Sequence, residues 1–385
     1  QIYLLSAGFF GIFLSFNTAQ SLQSTLVADV KGLADTSLGT LYFLFSVMAV
    51  FAPKVVEAIG PRLSMVLGAV PYVLVTLSDL KPAFYLTVPA FGLVGLGAAV
   101  LWTGQGVYLG RCALNHARKS GEHEDAVVSR FNGIFFSAFQ FNGFLGNVIA
   151  ATAFTSSSEN KTTTNIVLIG FACAAAVGTF VLSLVATMPS VDSVNTKMDG
   201  SVNNVSFVET LQLAVRSPRM RYTIPIIFYN GMSLGFLFSD YPLFFSDTKD
   251  TIRLLPKSRV GFVVATFYLV NSFASYAWGR IASKIGRRGT MTWATILHVI
   301  FFVTMLVCNT SKHSLAVCFH TVGFAALSAL FAVGDAVWES QPPAVLQSSA
   351  FFTKERDREA AMSNLKLWQS LGFAGVCCVA FSSLV

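Results

Sequence analysis

Charged side chains are scarce in this chain: Asp, Glu, Lys and Arg supply 12% of its 385 residues, where about 25% is usual for a soluble domain. Together with 54% hydrophobic content, that scarcity excludes a soluble hydrolase, a nucleic-acid enzyme and a disordered scaffold. Acids are fewer than bases, 19 against 26. No paired catalytic carboxylates, phosphate-binding loop, dinucleotide fingerprint or nucleophile constellation occurs in the sequence. We therefore expect neither an enzyme nor a bound cofactor. The six cysteines, Cys112, Cys173, Cys308, Cys318, Cys377 and Cys378, lack metal-ligand spacing. They read as small buried apolar residues, with a Cys308–Cys318 disulfide across one outer loop as the alternative. An initiator Met is missing too: the chain opens at Gln1 directly into an apolar run too long for a signal core. An N-terminal fragment is the expectation.

What the chain has in quantity is charge-free apolar sequence. Eleven stretches lie at 2–28, 36–53, 63–78, 83–110, 131–158, 162–191, 222–239, 260–279, 289–311, 313–334 and 367–385. A bilayer-spanning helix needs about 18 or more such residues. The third stretch is the shortest and relies on Arg62 and Asp79 reaching toward the two interfaces. The net charge of +7 is read first as topology. With the N-terminus on the cytoplasmic side, 17 of the 26 Lys and Arg fall in inner loops or at their edges, as the positive-inside rule requires.

Six spans precede residue 188 and five follow residue 219. The expected organisation is an all-α polytopic protein with an N-terminal six-helix bundle at 1–188, a cytoplasmic linker at 189–218 and a C-terminal bundle of helices 7 to 11 at 219–385. A count of six plus five implies a missing twelfth helix. In the linker, Ser206 and Glu209 form a capping-box pattern. Phe207, Leu211 and Val215 then share one helical face before Pro218, which predicts a short amphipathic helix at the inner membrane surface.

The halves share a loop signature, as an internal duplication would leave. Pro53 to Arg62 reads P-K-V-V-E-A-I-G-P-R, and Gly279 to Arg288 reads G-R-I-A-S-K-I-G-R-R. With an offset of 226, Ile59, Gly60 and Arg62 coincide with Ile285, Gly286 and Arg288, and Arg287 stands beside the last of these. Both loops follow the second helix of a six-helix half. The pattern resembles motif A of the major facilitator superfamily, although Pro53 replaces its first Gly in one half and Ser283 its acid in the other. Glu57 is the surviving acid.

Ionisable groups within spans are costly, about 2.5–3.5 kcal/mol at the bilayer centre, and so are functional candidates. Asp335, about five residues before the expected inner end of helix 10, and Lys366 in helix 11 fall at one depth. They are a candidate ion pair closing the inner side; the alternative is a snorkelling Lys366 and an Asp335 bonded to backbone. Asn17 and Gln20 form a polar stripe on helix 1, and Gln105, Asn132, Asn230 and Asn271 add neutral polar groups elsewhere. Asn17, Gln20, Gln105, Asn230 and Asp335 are candidates for a central cavity, or they bond helix to helix. His298 reads as a packed polar residue. Gly92 to Ala99 offers a small-residue face for close helix approach. Sequons at Asn160 and Asn309 lie outside in this topology and are possible glycosylation sites.

Longer motifs carry a family resemblance. F-N-T-A-Q-S-L-Q-S-T-L in helix 1, G-L-G-A-A-V-L-W-T-G-Q-G-V-Y-L in helix 4, F-N-G-I-F-F-S-A-F-Q in helix 5, G-D-A-V-W-E-S-Q in helix 10 and L-K-L-W-Q-S in helix 11 resemble the Unc-93-like family. Arg111 to Ala117 and Gly121 to Glu124 resemble its plant and algal branch. The resemblance implies a major facilitator fold of twelve helices in two six-helix bundles. It also implies an accessory role: one animal member regulates a two-pore-domain potassium channel, another escorts nucleic-acid-sensing immune receptors, and plant members are linked to potassium balance. Trp102, Gln105, Gly106, Asp335, Gln341, Lys366 and Trp368 match family positions. The chain departs from the family at Glu339, where Asn is expected, and at Pro342 and Pro343. The implied partner is an integral membrane protein or larger membrane complex, with lipid around it and no nucleic acid. The implied location is a plasma membrane or endomembrane, an organellar one such as the plastid's remaining open. A secondary transporter of a small solute or ion, working by alternating access, is the competing expectation.

Overall fold

A computed structural model of the chain describes residues 1–26, 30, 32–155, 161–188, 207–238, 241, 257–310 and 321–384. Eleven helices are described: α1 (Ile2–Leu26), α2 (Leu33–Ile59), α3 (Pro61–Ser78), α4 (Phe84–Ser120), α5 (Glu124–Thr155), α6 (Lys161–Ser183), α7 (Phe207–Arg216), α8 (Pro218–Phe238), α9 (Lys257–Thr310), α10 (Thr321–Gln347) and α11 (Glu355–Leu384). The long α9 is two limbs joined at Gly286, whose φ of 80° and ψ of 157° are not helical. The stretch 260–279 lies in the first limb and residues 289–310 in the second. Six of the described helices, α9 counted once, are long and apolar enough to cross a membrane by length and composition alone. The others carry more of the polar groups that face protein rather than lipid.

The expected amphipathic helix is α7. Its Leu211 and Val215 are exposed while Thr210 and Ala214 are buried, so one apolar face is free to lie in the headgroup layer. Pro218 does not merely stop it; as the first residue of α8 it sits where a missing N–H costs nothing. The linker is described only from residue 207. Ser206 and Asn160 lie outside the described residues, as do Cys318 and the side chains of Glu209, Cys308, Asn309, Cys377 and Cys378.

Small residues set the helix crossings. Gly8 and Gly11 of α1 meet Gly178 of α6, Gly68 of α3 meets Gly97 of α4, and Gly231 of α8 meets Gly372 of α11. Gly95 of α4 lies against the Leu41 carbonyl of α2, as the small-residue face of helix 4 predicts. Between the two sets of spans, α5 crosses α9 where Gly133 meets Gly279, and α2 runs along α11. With no net hydrophobic drive between helices in lipid, such backbone approach supplies the packing energy.

The duplicated loop is visible as geometry. Gly60, between α2 and α3, has φ 79° and ψ 154°, nearly the values at Gly286, 226 residues on. That backbone region is open essentially to glycine alone, which accounts for Gly at both places. Arg62 donates to the Ser183 carbonyl at the end of α6, and Arg287 pairs with Asp125 of α5 at 2.6 Å. Glu57 and Arg288 are exposed. The same offset relates the outer faces of the following helices: Leu67, Val70, Leu74 and Leu77 of α3 are exposed, as are Trp293, Ile296, Ile300 and Val303 of α9.

Candidate functional site

A cavity of about 120 Å³ opens at the centre of the molecule. Its walls are mostly aromatic. Phe13 and Phe16 come from α1, Tyr42 and Phe45 from α2, Trp102 from α4, Phe136 and Phe139 from α5, and Phe373 from α11. Phe13, Trp102 and Phe139 pack edge-on or tilted at centroid distances of 5.0–5.2 Å. The polar groups entering this wall are Asn17 and Gln20 of α1, Gln140 of α5, Glu339 of α10, and Lys366 and Gln369 of α11.

Of the five cavity residues expected from sequence, Asn17 and Gln20 line it. Asn17 donates to Asn142 Oδ1 at 2.9 Å and Gln20 to Tyr42 Oη at 2.7 Å. Asn230 of α8 stands behind, accepting a 2.5 Å hydrogen bond from Gln369 Nε2. Gln105 and Asp335 are buried in α4 and α10 and are not part of the lining. Asn132, expected near Gln105, instead donates to Gln347 Oε1 at 2.7 Å.

The Asp335–Lys366 ion pair is not formed. Asp335 faces α8 and α9, where Ser233 Oγ lies 3.3 Å away and Asn271 Nδ2 3.0 Å away. Lys366 turns along its own helix to Gln369 Oε1 at 2.8 Å, with its ammonium 4.3 Å from the Trp102 ring centre. Both residues lie deeper than expected. Helix α10 runs on through Pro342 and Pro343 to Gln347, and α11 begins at Glu355. The two residues therefore lie roughly 16–18 Å from those ends at about 1.5 Å per residue. The acid that interacts electrostatically with Lys366 is Glu339, one turn beyond Asp335 and hydrogen-bonded by Gln140 Nε2. Its i, i+4 spacing from Asp335 is the signal for it in the sequence, where it otherwise stands only as a departure from the family pattern.

Below the cavity, on the side where the basic loops gather, the molecule is closed by polar contacts. Arg111 at the end of α4 binds Glu355 and Glu359 of α11, each at 2.7 Å. Asp125 accepts from both Arg287 and Ser348, each at 2.6 Å. Gln347 spans from Asn132 to the Gly106 carbonyl, 3.0 Å away. Among the family-motif positions, Gly106 lies against Met362, Gln341 receives Ser129 Oγ at 3.4 Å, and Trp368 packs in the α8–α11 core. In the α4–α5 turn, the double hydrogen bond from Arg130 holds the Glu122 carboxyl down at about 2. His298 is packed as expected, between Tyr229 Oη at 2.5 Å and the Phe331 carbonyl at 3.2 Å.

Comparison with known proteins places this geometry. Residues 34–385 match the family model described as ion channel regulatory protein UNC-93. Protein unc-93 homolog A of Homo sapiens is 29% identical over 97% of this chain and 85% of its own length. UNC93-like protein 3 of Arabidopsis thaliana is 27% identical over 97% of this chain and 78% of its own. Among solved structures, a variant of the E. coli fucose:proton symporter superposes with a TM-score of 0.68 at 11% identity, covering 99% of this chain and 98% of that one. At that identity the likeness is one of fold, and the fold is that of the major facilitator superfamily.

Proposed function

This chain belongs to the UNC-93 family, and from that premise we propose that it is a non-enzymatic regulatory subunit that binds another integral membrane protein through its lipid-facing helices. The observation that carries the reading is the match of nearly the whole chain to a family of ion channel regulatory proteins. The repeated exposed apolar faces of α3 and α9 offer contact surface. The protein is a multi-pass integral membrane protein, and the partner shares its membrane.

A second reading, transport of a small solute or ion by alternating access, is favoured by one observation: a central cavity holding Glu339 and Lys366. Flux separates the two. Reconstituted alone in liposomes, the chain is expected to give no saturable solute uptake that Asp335→Asn abolishes. Saturable uptake lost in that variant would overturn the subunit reading in favour of transport.

A further inference from the structure

Two buried carboxyl groups, Asp335 and Glu339, stand one helical turn apart on α10, and among the described residues Lys366 is the cation in electrostatic contact with Glu339. His298 is engaged elsewhere, with Tyr229 Oη and the Phe331 carbonyl. A buried carboxylate that keeps its charge in a low-dielectric site does so only with hydrogen-bond donors or a cation beside it. Close to Glu339, two buried polar atoms lack a partner. Gln140 spends its amide N–H on Glu339, while its Oε1 has no hydrogen-bond partner among the described residues, and neither does Tyr268 Oη. Both side chains are 3% exposed or less, and both line the cavity with Glu339.

We infer that the cavity binds an organic primary ammonium, with its charge on Glu339. A primary ammonium presents three N–H donors, and the three oxygens of Glu339, Gln140 and Tyr268 are available to receive them. The aromatic walls take the apolar body, and such rings favour a cationic or aromatic guest. A hard metal cation fits worse, since it asks for six or more oxygens and these walls are largely aromatic. The inference rests on the cavity alone and holds whether the body moves its ligand or only senses it.

The test is calorimetric titration of the full chain in lipid nanodiscs with 2-phenylethylammonium, and with 2-phenylethanol as the uncharged match. Saturable one-to-one binding of the amine is expected, with the alcohol at least tenfold weaker. Glu339→Gln, the same size without the charge, should weaken the amine at least tenfold, and Tyr268→Phe, which removes only one oxygen, about three- to tenfold. Each variant is checked for a single symmetrical elution peak. Absence of saturable amine binding, equal binding of the alcohol, or wild-type affinity in Glu339→Gln would each overturn the inference. None of these results bears on whether a membrane partner exists, and flux in liposomes is read separately.

Discussion

Gly133→Val is expected to stop the chain from assembling into a monodisperse folded species. A β-carbon at 133 would sit 2.7 Å from both the Gly279 Cα and the Ser275 carbonyl oxygen, and one at 279 would sit 2.8 Å from the Gly133 Cα. Each obstacle is backbone, so no rotamer change relieves the clash; α5 and α9 must move apart. Overpacking of this kind costs about 1–3 kcal/mol or more, and separation also forfeits the dispersion contacts that hold helices together in lipid. Gly170→Val is the control, because a β-carbon there has no neighbour within 4 Å. Fluorescence-detected size-exclusion chromatography should show loss of the main peak for Gly133→Val and a wild-type trace for Gly170→Val. Matching traces would mean that the crossing is not as close as described.

Arg111→Met is expected to lower stability by about 3 kcal/mol. Its guanidinium holds Glu355 and Glu359 together, and all three side chains are only 11–16% exposed. Removing one partner of a mostly buried ion pair typically costs about 3–5 kcal/mol, because charge is left uncompensated; the residual exposure argues for the lower end. Two carboxylates then face each other across the first turn and a half of α11. Adding Glu359→Gln should recover part of the loss, whereas the same change in the wild type should destabilise. A double-mutant cycle on thermal unfolding measures that coupling. Additive effects would show that the three groups do not act as a cluster.

How far the molecule is legible in its sequence depends on which physical signal is asked. Spans are legible because bilayer insertion forbids charge over about 18 residues, so even the two limbs of α9 separate at the charged loop around Gly286. The Gly60 and Gly286 positions are legible as a repeat because one backbone conformation demands glycine twice. The length of α10 is not: its expected inner end lies about five residues beyond Asp335, yet the helix continues through Pro342 and Pro343 to Gln347, held by contacts of Gln347 with α4 and α5. Side-chain direction is the other failure. A helix apolar on all sides gives no hydropathic guide to which face looks inward, so depth alone pairs Asp335 with Lys366, whereas Asp335 turns to Ser233 and Asn271. Asn17 and Gln20 succeeded because a polar stripe on an apolar helix has one tolerable direction, toward protein or water.

The regulatory reading is tested most directly by the native mass and composition of the complex that carries this chain, extracted gently from its own membrane and analysed by mass spectrometry. A stoichiometric integral membrane partner, retained through purification, is the predicted result. A protein that runs without any partner, while giving saturable flux on reconstitution that Asp335→Asn abolishes, would contradict it.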